Sequence, residues 1–127
     1  MSDREKKVIV WSDDDPAIHE TVRFLLESQD YELHFVATTA ETIDLARRLA
    51  PDLVVTDMQK PEKEERESGV RIAETLRADP QLASIPILLC SGYITKGYAD
   101  NPLFDATREK PVTQEELIDA VRRLLKE

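Results

Sequence analysis

Residues 8–16 read Val-Ile-Val-Trp-Ser-Asp-Asp-Asp-Pro, a short apolar run that ends in three consecutive carboxylates. The run Lys7–Trp11 is β-branched and bounded by charge, which is typical of a strand buried on both faces of a sheet. Pro16 suits the first position of a helix. Apolar residues then recur at helical spacing, at Ile18, Val22, Leu25 and Leu26. The stretch therefore predicts a buried strand, an acidic turn and an amphipathic helix.

The same pairing of strand and helix recurs along the chain. Further strands are predicted at 31–37, 53–56, 85–90 and, with little apolar content, 104–109. Helices are predicted after Thr39 as a cap, around 72–76 before Pro80, and after a capping box of Thr113 and Glu116. Alternating strands and helices predict an α/β fold with a parallel sheet and helices on both faces.

Length, charge and composition limit the class of protein. A chain of 127 residues is expected to form one domain over 1–127. The formal net charge of −9 argues against direct binding to nucleic acid or to anionic membranes. No apolar run approaches a membrane span or a signal peptide, and the one cysteine, Cys90, lies in an apolar run. We therefore expect a cytoplasmic domain with a buried thiol, while the sequence leaves open whether it is a stand-alone protein or a piece of a longer chain.

Chemically unusual residues follow four of the five predicted strands. They are Asp13–Asp15 after the first strand, Asp57 after the third, Ser91 and Gly92 after the fourth, and Lys110 and Pro111 after the fifth. Ligands of such sheets bind outside the carboxyl ends of the strands. The sequence therefore predicts a site there that contains several carboxylates, a hydroxyl and an ammonium group.

This set of groups suits phosphoryl transfer. Carboxylates that point at one spot repel each other unless a cation compensates, and hard oxygen ligands favour Mg²⁺. A carboxylate can attack phosphorus to form an aspartyl phosphate. The charge that develops on the transferred group would be stabilised by the metal and by a lysine. The residues after the strands thus predict a phosphoryl acceptor at Asp57.

The chain resembles the receiver domains of two-component response regulators, from about Lys7 to Glu127. Four segments carry the resemblance, in order and after successive strands: VIVWSDDDP at 8–16, DLVVTDMQKP at 52–61, IPILLCSGY at 85–93 and EKP at 109–111. The resemblance implies a flavodoxin-like (CheY-like), doubly wound, five-stranded parallel sheet of order 2-1-3-4-5. It also implies a signalling switch that catalyses its own phosphorylation and dephosphorylation and is not a multiple-turnover enzyme.

The resemblance also implies roles for individual residues. Asp57 would be phosphorylated by a sensor histidine kinase or a histidine phosphotransfer protein, and an unknown downstream protein would read the change. Mg²⁺, with Mn²⁺ as a substitute, would be bound by Asp13, Asp14, Asp57 and the backbone carbonyl of Gln59. Ser91 would contact the phosphoryl group. Lys110 would pair with Asp57, and its bond to Pro111 would be cis.

Several positions depart from the family pattern. The acidic loop at 62–68 is longer than usual, and a ring at Tyr93 is expected to slow hydrolysis of the phosphoryl group. Gly97 and Pro102 predict that the helix between the fourth and fifth strands, the family's fourth, is short or irregular. Thr107 stands where the family usually has an aromatic residue that turns inward on phosphorylation. The departure at Thr107 concerns the readout of the signal more than the acceptor chemistry.

Two other functions stay open at this point. A haloacid-dehalogenase-type phosphohydrolase would use Asp13 as the nucleophile and Asp15 as the acid and base, but Pro16 and the short chain disfavour it. A binding module that keeps the receiver fold without phosphorylation is favoured by Thr107 and disfavoured by the complete set of site residues.

Neither histidine is predicted to have a functional role. His19 lies beside Glu20 on the first helix, and His34 lies within the second strand. Neither has a partner at the spacing of metal ligands, so both are predicted to be structural or solvated.

Overall fold

The computed structural model describes residues 6–13, 15–26, 29, 31–57, 68–91, 102–109 and 113–126. Within them the chain forms five strands and four helices. The strands are β1 (Val8–Ser12), β2 (Glu32–Val36), β3 (Leu53–Thr56), β4 (Ile87–Ser91) and β5 (Ala106–Glu109). The helices are α1 (Pro16–Leu26), α2 (Thr39–Leu49), α3 (Ser68–Ala78) and α4 (Gln114–Leu124).

The five strands form one sheet in the order β2-β1-β3-β4-β5, and every neighbouring pair is parallel. The predicted order 2-1-3-4-5 is therefore confirmed. β1 extends one residue beyond the predicted strand, because Ser12 still pairs with Val36 on one side and Thr56 on the other. β4 begins at Ile87, after Pro86, which has no backbone N–H to donate.

Both faces of the sheet are covered. Residues of α1 and α4 pack on one face against Ile9, Trp11 and Val55, and residues of α2 and α3 pack on the other against Val10 and Val54. Successive side chains of a strand point to opposite faces, so the apolar runs of β1, β3 and β4 supply both layers at once. The prediction of helices on both faces is confirmed.

Two helices, α2 and α4, begin with a capping box. Thr113 and Glu116 form the predicted capping box at the start of α4. The prediction of Thr39 as a cap is wrong, since Thr38 caps α2 and Thr39 is the first helical residue. Thr38 is the cap because Glu41 lies three residues after it and completes a capping box. The hydroxyl of Thr38 accepts from the N–H of Glu41 at 3.1 Å, and the N–H of Thr38 donates to the carboxylate of Glu41 at 3.2 Å.

Arg77, in the last turn of α3, ties the amino ends of β4 and β5 together. Its guanidinium donates to the carbonyl oxygens of Ala83, Ile85 and Leu103 at 2.7–3.0 Å. It also donates to Asp105 at 2.6 Å, and the same carboxylate oxygen accepts from the N–H of Ile87 at 2.7 Å. These contacts anchor the edge of the sheet opposite to the predicted site.

Some predictions lie outside the described residues. They concern the helix expected between the fourth and fifth strands, which would fall largely within 92–101, the bond between Lys110 and Pro111, and most of the acidic loop at 62–68. None of the helices in the described ranges is both long and apolar enough to span a bilayer.

Candidate functional site

Three of the predicted site residues lie at the carboxyl edge of the sheet. Asp13 directly follows β1, Asp57 directly follows β3, and Ser91 is the last residue of β4. Because the strands are parallel, their carboxyl ends meet at one edge. All three residues are buried, with 2%, 8% and 6% of their surfaces exposed. This edge therefore holds two carboxylates and a hydroxyl that are nearly withdrawn from water.

Asp13 and Asp57 follow residues that face each other in the sheet. Ser12 pairs with Thr56 in the register of β1 and β3, and the N–H of Asp57 donates to the carbonyl oxygen of Ser12 at 3.2 Å. The two carboxylate-bearing residues are thus held at adjacent positions. Burying two like charges side by side is unfavourable, and a bound cation is the usual compensation.

The backbone of Asp13 is held on both sides. Its N–H donates to the carbonyl oxygen of Val36 at 3.0 Å, and its carbonyl oxygen accepts from Nε2 of His19 at 2.7 Å. Its carboxylate oxygen Oδ1 accepts from the N–H of Asp15 at 3.0 Å. The position of Asp13 therefore depends on contacts with both β2 and α1.

Asp15 has a different role from Asp13. Its side chain is exposed, and its Oδ1 accepts from the N–H of Ala17 in the first turn of α1 at 2.9 Å. An aspartate in this position caps a helix and favours its positive end. The geometry confirms that Asp15, followed by Pro16, begins the helix.

Buried hydroxyl groups lie next to the two carboxylate-bearing residues. Ser12 and Thr42, both fully buried, have their hydroxyl oxygens 2.6 Å apart. Thr42 donates its proton to the carbonyl oxygen of Thr38 at 2.7 Å, so Ser12 is the donor in the first contact. Thr56 donates to the carbonyl oxygen of Asp57 at 2.9 Å. The hydrogen bonds from Ser12 to Thr42 and from Thr42 to Thr38 form a hydroxyl chain that links the end of β1 to the cap of α2.

Ser12 was not among the predicted site residues. Its contact with Thr42 was not predicted, because the two residues are 30 positions apart and meet only once α2 packs on the sheet. A serine directly after the apolar run 8–11 was the available signal.

Several predicted site residues lie outside the described residues. They are Asp14, Gln59 and Lys110, together with Gly92, Tyr93 and Pro111. In the described part of the chain, no group of three or more His, Cys, Asp or Glu side chains could hold a metal ion. The described part thus places Asp13, Asp57 and Ser91 at one edge of the sheet, and the role of each predicted site residue stays a prediction.

The two histidines differ in their surroundings. His34 lies on the outer strand β2 and contacts Glu32 through Nε2 at 2.6 Å in a partly exposed pair. His19 is half-buried, stacks on Phe35 with ring centroids 4.7 Å apart, and contacts the carbonyl of Asp13. The prediction that His19 is structural or solvated did not anticipate its contact with a site residue.

Thr107 lies in β5, opposite Leu89 in the sheet, and is half-buried. Its carbonyl oxygen accepts from the guanidinium of Arg108 at 2.7 Å. A threonine at this position has no aromatic ring.

The sequence model for the response regulator receiver domain matches residues 9–122. This chain belongs to the receiver domain family. The match begins within β1 and ends within α4, so it takes in all or most of each strand and helix. Membership of this family agrees with the strand order 2-1-3-4-5 of the sheet.

Relatives of this receiver domain occur in proteins of very different lengths. The chain is 31% identical over 126 residues to hybrid signal transduction histidine kinase D of Dictyostelium discoideum, covering 94% of this chain but 8% of that kinase. It is 29% identical over 106 residues to the polar-differentiation response regulator DivK of Brucella abortus, covering 81% of this chain and 83% of DivK. The receiver fold is thus shared with a short regulator and with one segment of a long kinase.

Solved receiver structures have the same fold. One is the receiver domain of the sensor histidine kinase PA1611 of Pseudomonas aeruginosa, which carries a magnesium ion in its active site cleft. It superposes with a TM-score of 0.83 at 21% identity, covering 96% of this receiver domain and 99% of that one. At that identity the likeness concerns the fold.

Proposed function

We propose that this receiver domain is a phosphorylation switch in which Asp57 accepts a phosphoryl group. The observation that carries the proposal is the burial of Asp13 and Asp57 at adjacent positions on the carboxyl edge of the sheet, with Ser91 at the end of the next strand. Two buried carboxylates beside a hydroxyl are costly for stability alone, and they suit a site that binds a cation and an anionic group.

The described residues supply two of the ligands that a divalent metal ion would need. Asp13 and Asp57 offer hard oxygen ligands that are 2% and 8% exposed, and nearby carboxylates of like charge favour an added cation. We propose Asp13, Asp14, Asp57 and the backbone carbonyl of Gln59 as ligands of Mg²⁺, with Mn²⁺ as a substitute. When bound, the ion would offset the charge on the phosphoryl oxygens. The magnesium ion of the PA1611 receiver supports this choice by analogy.

The residues of the chain would carry the transfer itself. A carboxylate oxygen of Asp57 attacks the phosphorus of a phosphohistidine, a P–O bond forms, and the P–N bond breaks. The bond electrons leave with the histidine ring, which takes up a proton. Ser91 donates a hydrogen bond to one phosphoryl oxygen, and Lys110 pairs with Asp57 and then with the phosphoryl group. Water later hydrolyses the acyl phosphate, which releases inorganic phosphate and restores the carboxylate of Asp57. The domain would thus act as a resettable switch, and we propose that it is not a multiple-turnover enzyme.

The proposed partners follow from this chemistry. A sensor histidine kinase or a histidine phosphotransfer protein would supply the phosphoryl group, and an unidentified protein would bind the phosphorylated form. Receiver relatives within a hybrid histidine kinase and in a response regulator support this class of partner. We propose that the domain over 1–127 works in the cytoplasm and contacts neither nucleic acid nor membrane, in keeping with its net charge of −9.

Incubation with acetyl phosphate and Mg²⁺ tests the acceptor role. Intact mass spectrometry should show one added phosphoryl group on the wild type and none on Asp57→Asn. Asp44→Asn is the matched control, since the side chain of Asp44 is 70% exposed on α2 and pairs with Arg48 at 3.2 Å. This variant should be modified like the wild type.

A second candidate is a binding module that signals without phosphorylation. Thr107 favours it, because the half-buried position in β5 has no aromatic side chain to move. Wild-type protein that gains no phosphoryl group under any condition would support this candidate. The dehalogenase-type alternative finds no support, since the chain belongs to the receiver family and Asp15, its required acid and base, caps α1.

A further inference from the structure

His19 forms a direct link from α1 to the backbone of Asp13. Its Nε2 lies 2.7 Å from the carbonyl oxygen of Asp13. A carbonyl oxygen can only accept, so Nε2 must carry a proton and donate it. The bond therefore requires either the neutral ring protonated at Nε2 or the imidazolium, and both forms supply the same donor.

The ring of His19 is itself held in place. It stacks on Phe35 with centroids 4.7 Å apart and planes 28° apart. The guanidinium of Arg23 lies 5.1 Å from the centroid of the same phenyl ring, at a distance suited to a cation–π contact. A half-buried ring with such contacts on Phe35 loses little further freedom when its nitrogen donates to Asp13.

Two consecutive residues of β2 thereby hold the backbone of Asp13. Val36 accepts directly from the N–H of Asp13 at 3.0 Å, and Phe35 positions the ring that donates to its carbonyl. The N–H and the carbonyl of a residue belong to different peptide planes. Fixing both planes restricts the direction in which the side chain of Asp13 leaves the backbone.

We propose that His19 is a positioning residue for the metal site, holding Asp13 in the orientation in which it binds Mg²⁺. This inference rests on the proposed function, in which Asp13 is a metal ligand. His19 is not itself a ligand in this proposal. Residues that orient metal ligands typically contribute about 10–100-fold to metal affinity.

Substitutions at His19 separate the donor from the stacked ring. His19→Phe keeps an aromatic ring on Phe35 and removes the donor. His19→Leu also removes the donor and replaces the ring by a smaller apolar side chain. His19→Gln places an amide N–H near the position of Nε2 and removes the ring. Arg123→Ala is the control, since it removes an exposed arginine charge on α4, where Arg123 pairs with Asp119 at 3.1 Å.

The measurement is the dissociation constant of Mg²⁺, by isothermal titration calorimetry near pH 8, with urea unfolding of each variant in EDTA. His19→Phe and His19→Leu should weaken Mg²⁺ binding about tenfold, whereas His19→Gln and Arg123→Ala should stay within about twofold of the wild type. A merely structural role would lower the unfolding midpoint of the donor-less variants and leave their Mg²⁺ affinity unchanged. That result would overturn the proposed role of His19 and leave the proposed metal site unaffected.

The wild type distinguishes the two proposals. Wild-type protein that binds no Mg²⁺ would overturn the proposed metal site and the role of His19 with it. Wild-type protein that binds Mg²⁺, with equal affinity in His19→Phe, would leave the metal site intact. A loss of affinity in His19→Gln as large as that in His19→Phe would also contradict the proposal, because a donor would then not suffice.

Discussion

The N–H of Asp57 donates to the carbonyl oxygen of Ser12 at 3.2 Å, so the ends of β3 and β1 are joined by a backbone hydrogen bond at the point where both strands reach the candidate site. This bond continues the register in which Ser12 faces Thr56. Asp13 directly follows Ser12, so its backbone lies beside that of Asp57. The sheet itself therefore holds the two buried carboxylate-bearing residues at adjacent positions.

Removing one of these charges should stabilise the metal-free protein. Asp13→Asn keeps an oxygen that can accept from the N–H of Asp15 while relieving the repulsion of Asp57. We expect the free energy of unfolding in EDTA to rise by about 1 kcal/mol, as measured by urea denaturation. Saturating Mg²⁺ should stabilise the wild type by about 2–3 kcal/mol at a hundredfold excess over its dissociation constant, and the variant much less.

Asp15→Asn is the matched control for Asp13→Asn. Asparagine caps helices as well as aspartate does, and Asp15 is exposed. Its stability in EDTA and its response to Mg²⁺ should equal those of the wild type. A fall in the metal-free stability of Asp13→Asn would show that repulsion does not dominate at this edge.

The hydroxyl chain between β1 and α2 should behave as one coupled unit. Thr42→Val removes the acceptor of the Ser12 hydroxyl and should lower the free energy of unfolding by about 1–3 kcal/mol. Ser12→Ala should cost about 1 kcal/mol, and the double variant should cost less than the sum of the two single changes. A double-mutant cycle by urea unfolding measures the coupling, and strict additivity would show that the two hydroxyls do not interact.

Arg77 should contribute far more to stability than an exposed arginine. Its side chain is 22% exposed and donates to three carbonyl oxygens and to Asp105. Arg77→Met should lower the free energy of unfolding by about 2–3 kcal/mol in urea denaturation, because it leaves partly buried acceptors without their donor. The control is Arg48→Met, which breaks an exposed pair with Asp44 at 3.2 Å and should cost about 0.5 kcal/mol or less. Equal losses in the two variants would contradict this account.

The capping box of α4 should make stability depend on pH. The backbone N–H of Thr113 donates to Glu116 at 3.0 Å and, with the side chain of Thr113, lowers the pKa of that carboxyl below its ordinary value of 4.5. A pKa lowered on folding stabilises the native state above the unfolded-state pKa, and this stabilisation is lost as the pH falls through the folded-state pKa. Wild type should thus exceed Glu116→Gln in stability at neutral pH, and the difference should shrink below about pH 4.5.

Urea unfolding of both proteins across this pH range provides the measurement. Glu115→Gln is the control for loss of a charge in the same helical turn. A difference between wild type and Glu116→Gln that grows as the pH falls would contradict the assigned direction of the pKa shift.

Much of the fold could be predicted because its signals are local. The buried strands are apolar on both faces, so runs such as 53–56 predict β3 to the residue. The error at Thr39 has a local cause too, since two consecutive threonines precede α2 and only Thr38 has a glutamate three residues later. Strand ends were less predictable, because Ser12 belongs to β1 through pairing with other strands.

The residues of the candidate site could be predicted from the sequence, but the contacts that hold them in place could not. Asp13, Asp57 and Ser91 follow from the rule that ligands bind at the carboxyl ends of parallel strands. The contact of His19 with Asp13 depends on the path of the turn and on Phe35 in β2, and sequence spacing encodes neither. The structure gives the places of Asp13, Asp57 and Ser91, and the roles of all the site residues stay predictions.

Asp57 is the proposed carrier of the phosphoryl group, and chemical mapping of the acyl phosphate is the decisive test of that role. Protein treated with acetyl phosphate and Mg²⁺ is reduced with borohydride, which converts an aspartyl phosphate to homoserine and releases phosphate, and is then digested for tandem mass spectrometry. We predict homoserine at position 57 and unmodified aspartate at positions 13 and 14. Homoserine at position 13, or at no position in protein that has gained a phosphoryl group, would contradict the account.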